Sequence, residues 1–352
     1  MKPFSTLVFV GIILLISCQF NQKNEEQTQK TEKMNTKEEH YTFELSDNVS
    51  RQKVTFKNRY GIPLSGDLYL PKNRGTNFPA LAISGPYGAV KEQASGLYAN
   101  QMAQRGFAVL AFDPSYTGES GGEPRNISSP DINTEDFSAA IDFLGLQQNI
   151  DRNKLGIIGI CGFGGFALNA TAVDKRVKAV ATTSMYDMSR VTSKGYFDSM
   201  TPEQRSQMLE QMSQQRWIDA KNETPELSGQ GLPNELKEDE PEFVQGYFDY
   251  YKTPRGFHER SINSNGSWTK TNSFSLMNMP ILTYINEISP RPILIIAGEN
   301  AHSKYFSEDA FKVANDPKEL MIIPGKVHTD LYDKIDIIPF DKLEVFFKEN
   351  LK

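Results

Sequence analysis

Hydrophobic residues in this chain follow two alternating spacings. Short, largely apolar runs occupy 80–84, 107–112, 155–160, 177–182, 293–297 and 320–323. Runs of this length, rich in Val, Ile, Leu and Ala, mark strands buried on both faces, as parallel strands are. Between them lie stretches with apolar residues at helical spacing, near 92–105, 134–146, 164–173, 308–314 and 340–349. The alternation predicts a mostly parallel sheet covered by helices on both faces. Upstream, 54–56 and 64–70 flank Tyr60, Gly61, Ile62 and Pro63, which predicts an antiparallel hairpin.

The alternation breaks over 194–284. Thr201, Pro202 and Gln204 supply an N-cap, a proline at the first helical position and a glutamine at the third. Met208, Leu209, Met212, Trp217 and Ile218 follow at roughly helical spacing. A turn-rich break at 228–233 and a charged run at 237–240 complete the picture of an inserted helical cap. The core is therefore expected in two parts, 46–193 and 285–352, with the cap at 194–284 between them. Its aromatics Trp217, Phe243, Tyr247, Phe248, Tyr250, Tyr251 and Trp268 are material for a pocket, although such residues more often serve packing.

The N-terminal pattern is different. Lys2 precedes an apolar run over 7–16, and ten helical residues reach only about 15 Å of a ~30 Å hydrocarbon core. Residues 1–17 read as an export signal, not a spanning helix. Leu15, Ile16, Ser17 and Cys18 resemble the bacterial lipobox, in which Cys18 is lipidated and becomes the first mature residue. The alternative is an ordinary secretory signal with a chance cysteine. Two or more acyl chains give stable anchoring. Residues 19–39 are too polar to fold alone, so 18–45 is expected to be a lipidated, flexible tether. Gln19 after the lipidated cysteine resembles other lipoproteins sorted to the outer membrane. The expected location is the bacterial cell envelope, with the membrane as partner through the lipid.

Composition narrows the chemistry. The 352 residues carry a net charge of −6, with no basic tract and no Cys/His spacing suited to zinc, which argues against nucleic-acid and metal roles. Cys18 and Cys161 are the two cysteines. If Cys18 carries lipid, Cys161 is unpaired within the chain. An unpaired thiol in an exported protein is a candidate reactive group, or else a small buried hydrophobe.

Cys161 follows the strand at 155–160 in the run Gly159, Ile160, Cys161, Gly162, Phe163, Gly164, Gly165 and precedes a helical pattern. Strand, tight turn, nucleophile, helix is the layout of a nucleophile elbow. Acyl transfer through sulfur also needs a base, an acid that orients it and an oxyanion hole. The four histidines are His40, His258, His302 and His328. His328 follows the last strand, whose carboxyl end opens on the same sheet edge as the elbow, and is the best base. Asp187 and Glu299, each after a core strand, are alternatives for the acid, with Asp309 and Asp330 as outsiders. The oxyanion hole would take the N–H of Gly162 and one from the loop after 80–84. Pro86 has no N–H, which leaves Tyr87, or else Gly88. A helix N-terminus and an imidazolium would lower the thiol from about 8.5 toward ~6. A rival reading takes Gly162, Gly164 and Ala167, with Asp187 further on, as a dinucleotide fingerprint; it is weak here because it follows several strands instead of the first.

With these residues placed, the chain resembles an α/β-hydrolase, and among those it is similar to bacterial proteins grouped with dienelactone hydrolase, which also carry cysteine at the elbow. The likeness runs from about Arg51 to the end. It rests on 61–71, on 113–122, on the elbow at 159–165, on 301–308 and on 328–332. The resemblance implies an eight-stranded, mostly parallel sheet, a hydrolase activity and the roles of Cys161 and His328. Three departures stand out: Phe163 where the elbow's last glycine is usual, Ala301 where an acid-loop aspartate is usual, and Ser84 where a histidine usually precedes the oxyanion glycine. The second leaves the acid open and gives His302 a supporting duty. The expectation is a hydrolase of a small-molecule ester, lactone or thioester, working without cofactor or metal through an acyl-Cys161 intermediate. The alternative is a non-catalytic, ligand-binding lipoprotein on the same scaffold.

Overall fold

The computed structural model describes residues 39–72 and 75–352. The expected signal at 1–17, the lipidation site Cys18 and the tether up to residue 38 lie outside the described residues. Eight strands form one sheet: β1 (Val49–Lys57), β2 (Pro63–Pro71), β3 (Phe78–Ser84), β4 (Ala108–Phe112), β5 (Ile150–Ile160), β6 (Val177–Thr183), β7 (Ile293–Gly298) and β8 (Lys318–Ile323). Their spatial order is β1-β2-β4-β3-β5-β6-β7-β8. β1 pairs with β2, and β2 with β4, antiparallel; every other pairing is parallel. The carboxyl ends of β3 to β8 therefore share one edge, which is where such sheets place their sites.

The apolar runs form the centre. β4 and β7 are buried throughout, whereas β8, at the edge, is half-buried. α1 (Ala94–Gln104), α2 (Pro130–Gly145), α3 (Gly162–Val173), α8 (Lys304–Val313) and α10 (Phe340–Asn350) connect or follow the strands, while α9 (Asp330–Asp333) lies in the last loop. β5 starts earlier than its apolar run, at Ile150, and reaches β3 through a register shift between Phe78 and Ala80. α2 also starts earlier, because the Ser129 hydroxyl caps Ile132 N–H and Pro130 sits where its missing N–H costs nothing.

Residues 41–45, expected in the tether, are docked instead. Thr42 N–H donates to Glu92 O at 3.0 Å, the Tyr41 hydroxyl to Asp67 at 3.0 Å and Asn100 Nδ2 to Glu44 O at 3.1 Å. The packed unit accordingly begins at Tyr41. The reason is backbone pairing, which a count of apolar residues does not register.

Between β6 and β7 lie α4 (Met188–Lys194), α5 (Pro202–Asn222), α6 (Glu242–Tyr251) and α7 (Ile262–Asn265). α5 carries the expected capping box, with Gln204 N–H donating to Thr201 Oγ1 at 3.2 Å and Thr201 N–H to Gln204 Oε1 at 2.8 Å. It lies on the surface: of its residues only Met212 and Gln215 are buried, and Trp217 is 72% exposed. α6 does the reverse and buries Tyr250 and Tyr251. No helix among the described residues is long and apolar enough to cross a membrane.

Candidate active site

β5 delivers Cys161 to the sheet edge. The residue has φ +54°, a conformation that non-glycine residues rarely adopt, and α3 starts directly after it. Neighbours hold it there: Cys161 N–H donates to Thr183 O at 3.0 Å, while its carbonyl accepts from Gly164 N–H and Tyr186 N–H, each at 2.9 Å. The turn closes tightly enough to demand glycine on both sides. A Cβ at Gly159 would stand 2.4 Å from Phe163 O, and one at Gly164 2.5 Å from Met185 Cβ. Phe163 itself turns into the core, 5.1 Å from the Phe166 ring, so glycine 164 provides the close approach that position 163 usually would. Protein fills the space a pyrophosphate would need, since Met185 lies against Gly164 and Tyr186 O against Gly165. The dinucleotide reading has no room.

The backbone N–H groups of Tyr87 and Gly162 face the Cys161 sulfur and would favour its anion. The Tyr87 loop is fixed from the insertion. Its ring stacks on Trp268 at 4.3 Å, its hydroxyl accepts from Asn272 Nδ2 at 2.8 Å and its carbonyl from Asn263 Nδ2 at 2.7 Å.

His328 follows β8 and is buried in the same place, but both its ring nitrogens are occupied by neutral hydroxyls. Nδ1 lies 2.6 Å from Ser303 Oγ and Nε2 lies 2.9 Å from the Tyr332 hydroxyl. Tyr332 also lines one cavity with Cys161, and its hydroxyl would favour the sulfur anion. A phenol thus stands where direct contact between thiol and imidazole was expected.

None of the candidate acids meets the ring. Asp187 is the N-cap of α4, accepting from Ser189 Oγ at 2.5 Å and Arg190 N–H at 3.0 Å. Glu299 accepts from Gly325 N–H at 2.8 Å. Asp309 pairs with Arg190 at 2.9 Å, and Asp330 with Lys334 at 2.5 Å and Val327 N–H at 3.0 Å. Each carboxylate satisfies a local donor closer than the imidazole. Ser303 takes the place of the acid.

The site is consequently without charge at rest. Burial pushes the Cys161 thiol up, and the donors of Tyr332, Tyr87 and Gly162 only partly oppose this. Burial, with His302 alongside, holds the His328 imidazole well below its usual range. The expected fall of the thiol toward 6 does not occur, because an imidazole kept neutral supplies no positive charge. His302, with its ring centroid 5.1 Å from that of His328, is brought down to about 4 by burial. Its Nε2 meets the Tyr186 hydroxyl, which also bonds to Tyr247 at 3.0 Å and Tyr196 at 3.2 Å.

Cys161 opens on a cavity of about 220 Å³ lined by Tyr87, Tyr186, Tyr196, Tyr247, Tyr251, Trp268 and Tyr332, with Leu232, Ile262 and Met188. Core and insertion both contribute. Of the cap aromatics expected near a pocket, Tyr247, Tyr251 and Trp268 line it. Ser303 and Tyr332 were not anticipated. Tyr332 is four residues after His328, a helical step that places two side chains on one face, and this was the available signal.

Comparison with known proteins gives these features a family. The family described as X-Pro dipeptidyl-peptidase (S15 family) matches residues 61–278. The uncharacterized protein PA2218 of Pseudomonas aeruginosa is 63% identical over 317 residues, 90% of this chain and 85% of that protein. Its crystal structure superposes with a TM-score of 0.87, covering 90% of this chain and 98% of that one. The thiohydrolase aneE of Aspergillus aculeatus is 27% identical over 79% of this chain and 86% of its own length. The crystal structure of the α/β-hydrolase GrgF from Penicillium, 24% identical with a TM-score of 0.71 over 86% of this chain and 99% of that one, shares the fold. A tight strand–turn–helix at the carboxyl edge of an eight-stranded, mostly parallel sheet and a family match over its centre lead to one conclusion: the chain belongs to the X-Pro dipeptidyl-peptidase (S15) family of hydrolases and has the α/β-hydrolase fold.

Proposed function

We propose that this protein is an acyl hydrolase with a cysteine nucleophile that cleaves a small, uncharged ester, lactone or thioester. The observation that carries the reading is the convergence of the Tyr87 and Gly162 N–H groups on the Cys161 sulfur at the floor of an aromatic cavity. Those donors stand where the oxyanion of a tetrahedral intermediate would form beside the sulfur. The sulfur attacks the carbonyl carbon as its proton passes to His328, and the carbonyl electrons move onto oxygen. Collapse expels the leaving group, which takes the proton from His328; the freed imidazole then deprotonates a water molecule that attacks acyl-Cys161, and collapse releases the acid while the proton returns to the sulfur.

Two arguments favour esters and thioesters over X-Pro peptides. The cavity lining includes no carboxylate to pair with a peptide's terminal ammonium. His328, held well below its ordinary pKa, is also a weak base that is neutral at rest and takes up a proton reluctantly. An amine leaving group depends on a proton the imidazole has first taken up, whereas a thiol of pKa about 8.5 can start to depart as thiolate before it is protonated. S15 peptidases use serine. Cysteine at 161 sets this chain apart from them and supports the likeness to the dienelactone-hydrolase group and to thiohydrolases. The reading places the enzyme in the bacterial cell envelope, anchored to the outer membrane through lipid on Cys18.

The test is a panel of aryl and short alkyl acyl thioesters, their oxygen esters and X-Pro anilides, given to the full chain and to Cys161→Ala. Thioester turnover that disappears in the variant is expected. Unchanged turnover in the variant, or a preference for the anilides, overturns the proposal. The raised thiol favours a second reading, ligand binding without turnover. Under that reading no acyl adduct appears on Cys161 in the intact-mass spectrum.

A further inference from the structure

The geometry points to Tyr332 as a catalytic residue: its hydroxyl, bonded to His328 Nε2 and lining one cavity with Cys161, passes the proton from thiol to imidazole. This rests on Cys161 being the nucleophile. Three observations lead to it.

First, both nitrogens of the His328 ring are already committed, Nδ1 to Ser303 Oγ at 2.6 Å and Nε2 to Tyr332 at 2.9 Å. The sulfur cannot reach the imidazole without displacing one of them. Second, Tyr332 is held firmly. It is fully buried, its ring meets Tyr250 edge-on at 5.0 Å, and its short helix α9 (Asp330–Asp333) is pinned on two sides. The Tyr98 hydroxyl donates to Leu331 O at 2.7 Å, and Arg255 of the insertion grips Asp333 at 2.6 Å and Thr329 O at 2.9 Å. A hydroxyl so fixed stays in line throughout the reaction. Third, the groups facing it are the thiol, the imidazole and the phenols of Tyr247 and Tyr251, none of which carries charge at rest.

The transfer is concerted. As the S–C bond forms, the thiol hydrogen moves to the phenol oxygen and the phenol hydrogen moves to Nε2. The carbonyl electron pair goes to the oxygen held by the two N–H groups, and Nδ1–H remains on Ser303. Tyr332 ends as it began, neutral. A free tyrosinate is no intermediate here, since burial raises this phenol far above its ordinary value. Deacylation runs the same chain from a water molecule in place of the thiol.

Tyr332→Phe removes one oxygen and keeps the ring. In the full chain with a thioester substrate, kcat is expected to fall about 10²-fold or more with KM within a few-fold, the size of a general acid–base contribution. Alkylation of Cys161 by iodoacetamide at pH 7 should slow in parallel. Activity within threefold of the parent, or activity above it, overturns the proposal; the latter would make the hydroxyl a plug. To separate chemistry from packing, a ring-fluorinated tyrosine at 332, which preserves shape and hydroxyl but is more acidic, should displace the kcat/KM pH profile. An unmoved profile overturns the relay. Cys161→Ala is run alongside. If it stays active, the nucleophile assignment fails and the relay with it; if it is dead while Tyr332→Phe is active, the relay alone fails.

Discussion

Two buried polar clusters lie at opposite ends of the loop after β3, and they are built on opposite principles. At one end, Tyr87 N–H meets Cys161, Tyr332, His328 and Ser303 in a chain of neutral groups. A few residues on, Lys91 sits fully buried among carboxylates, with Nζ 2.5 Å from Glu92, 2.6 Å from Glu119 and 3.5 Å from Asp113. Arg260, from the insertion, closes the knot at 2.5 Å from Glu92. Burial alone would lower Lys91, but Asp113 and Glu92 outweigh it and hold the ammonium charged. Burial likewise pushes Glu119 up, and the hydrogen bonds from Lys53 and Lys91 reverse this and bring it to about 2. Charges desolvated together fix the architecture of the loop and tie the insertion to the core. Neutral hydroxyls fix the geometry of the site and leave its protons free to move.

The contrast breaks first at the nucleophile. Cys161→Ala should cut turnover roughly 10⁴-fold or more while leaving the melting temperature within a few degrees, by steady-state kinetics and thermal unfolding. In the knot the balance reverses. Lys91→Met leaves Glu92 and Asp113 buried without their main counter-charge and should cost about 3–5 kcal/mol in denaturant titration, the scale for breaking a buried pair. Ser303→Ala should reduce kcat about tenfold by releasing the imidazole's orientation, with a smaller effect on stability. If Ser303→Ala unfolds the protein while Lys91→Met leaves it stable, the division of labour is wrong.

The smallest effect concerns acid. His302 has a folded pKa of about 4 against an ordinary 6.5, so between those values the unfolded chain binds a proton that the folded one does not. Stability from this group is complete above pH 6.5 and is lost as pH falls toward 4. Glu92, raised to about 7 first by burial and then by Asp113, acts with the opposite sign, and folded protein gains from its protonation as pH falls from 7 to 4.5. The parent protein's acid slope mixes these with His328, also held low, and Asp136, raised to about 6 by burial. His302→Phe should remove the first contribution and relieve His328 in the same direction, and its unfolding free energy, relative to the parent, should rise as pH drops from 6.5 to 4.

The strands, the elbow and its flanking helix were legible because each is set by neighbours in sequence: an apolar run, a glycine-dense turn, an amphipathic stretch. The same holds for the capping box at Thr201 and Gln204, whose two bonds span three residues. That the N–H groups of Tyr87 and Gly162 would face the sulfur followed from the elbow plan and the missing N–H of Pro86. The orienting group was not, because position after a strand does not say where a carboxylate points. Asp187 precedes Ser189 and Arg190, whose donors it takes in capping α4, and this local competition decides its fate before His328 comes near. Ser303 reaches the imidazole from another loop, 25 residues away, and a contact of that kind has no signature along the chain, whereas Tyr332 lies four residues on, a spacing that could have been read. Trp217 erred the other way: a large apolar residue at helical spacing, it faces out from α5.

The protonated state of Cys161 has a consequence for durability. Peroxides and disulfides react with thiolate, not thiol. On the proposed mechanism, a sulfur whose burial favours the thiol, and which would lose its hydrogen only as a carbonyl carbon arrives, offers oxidants little to attack between turnovers. An ion-paired cysteine would be faster at its first step and shorter-lived in an oxidising compartment. This protein is arranged for persistence.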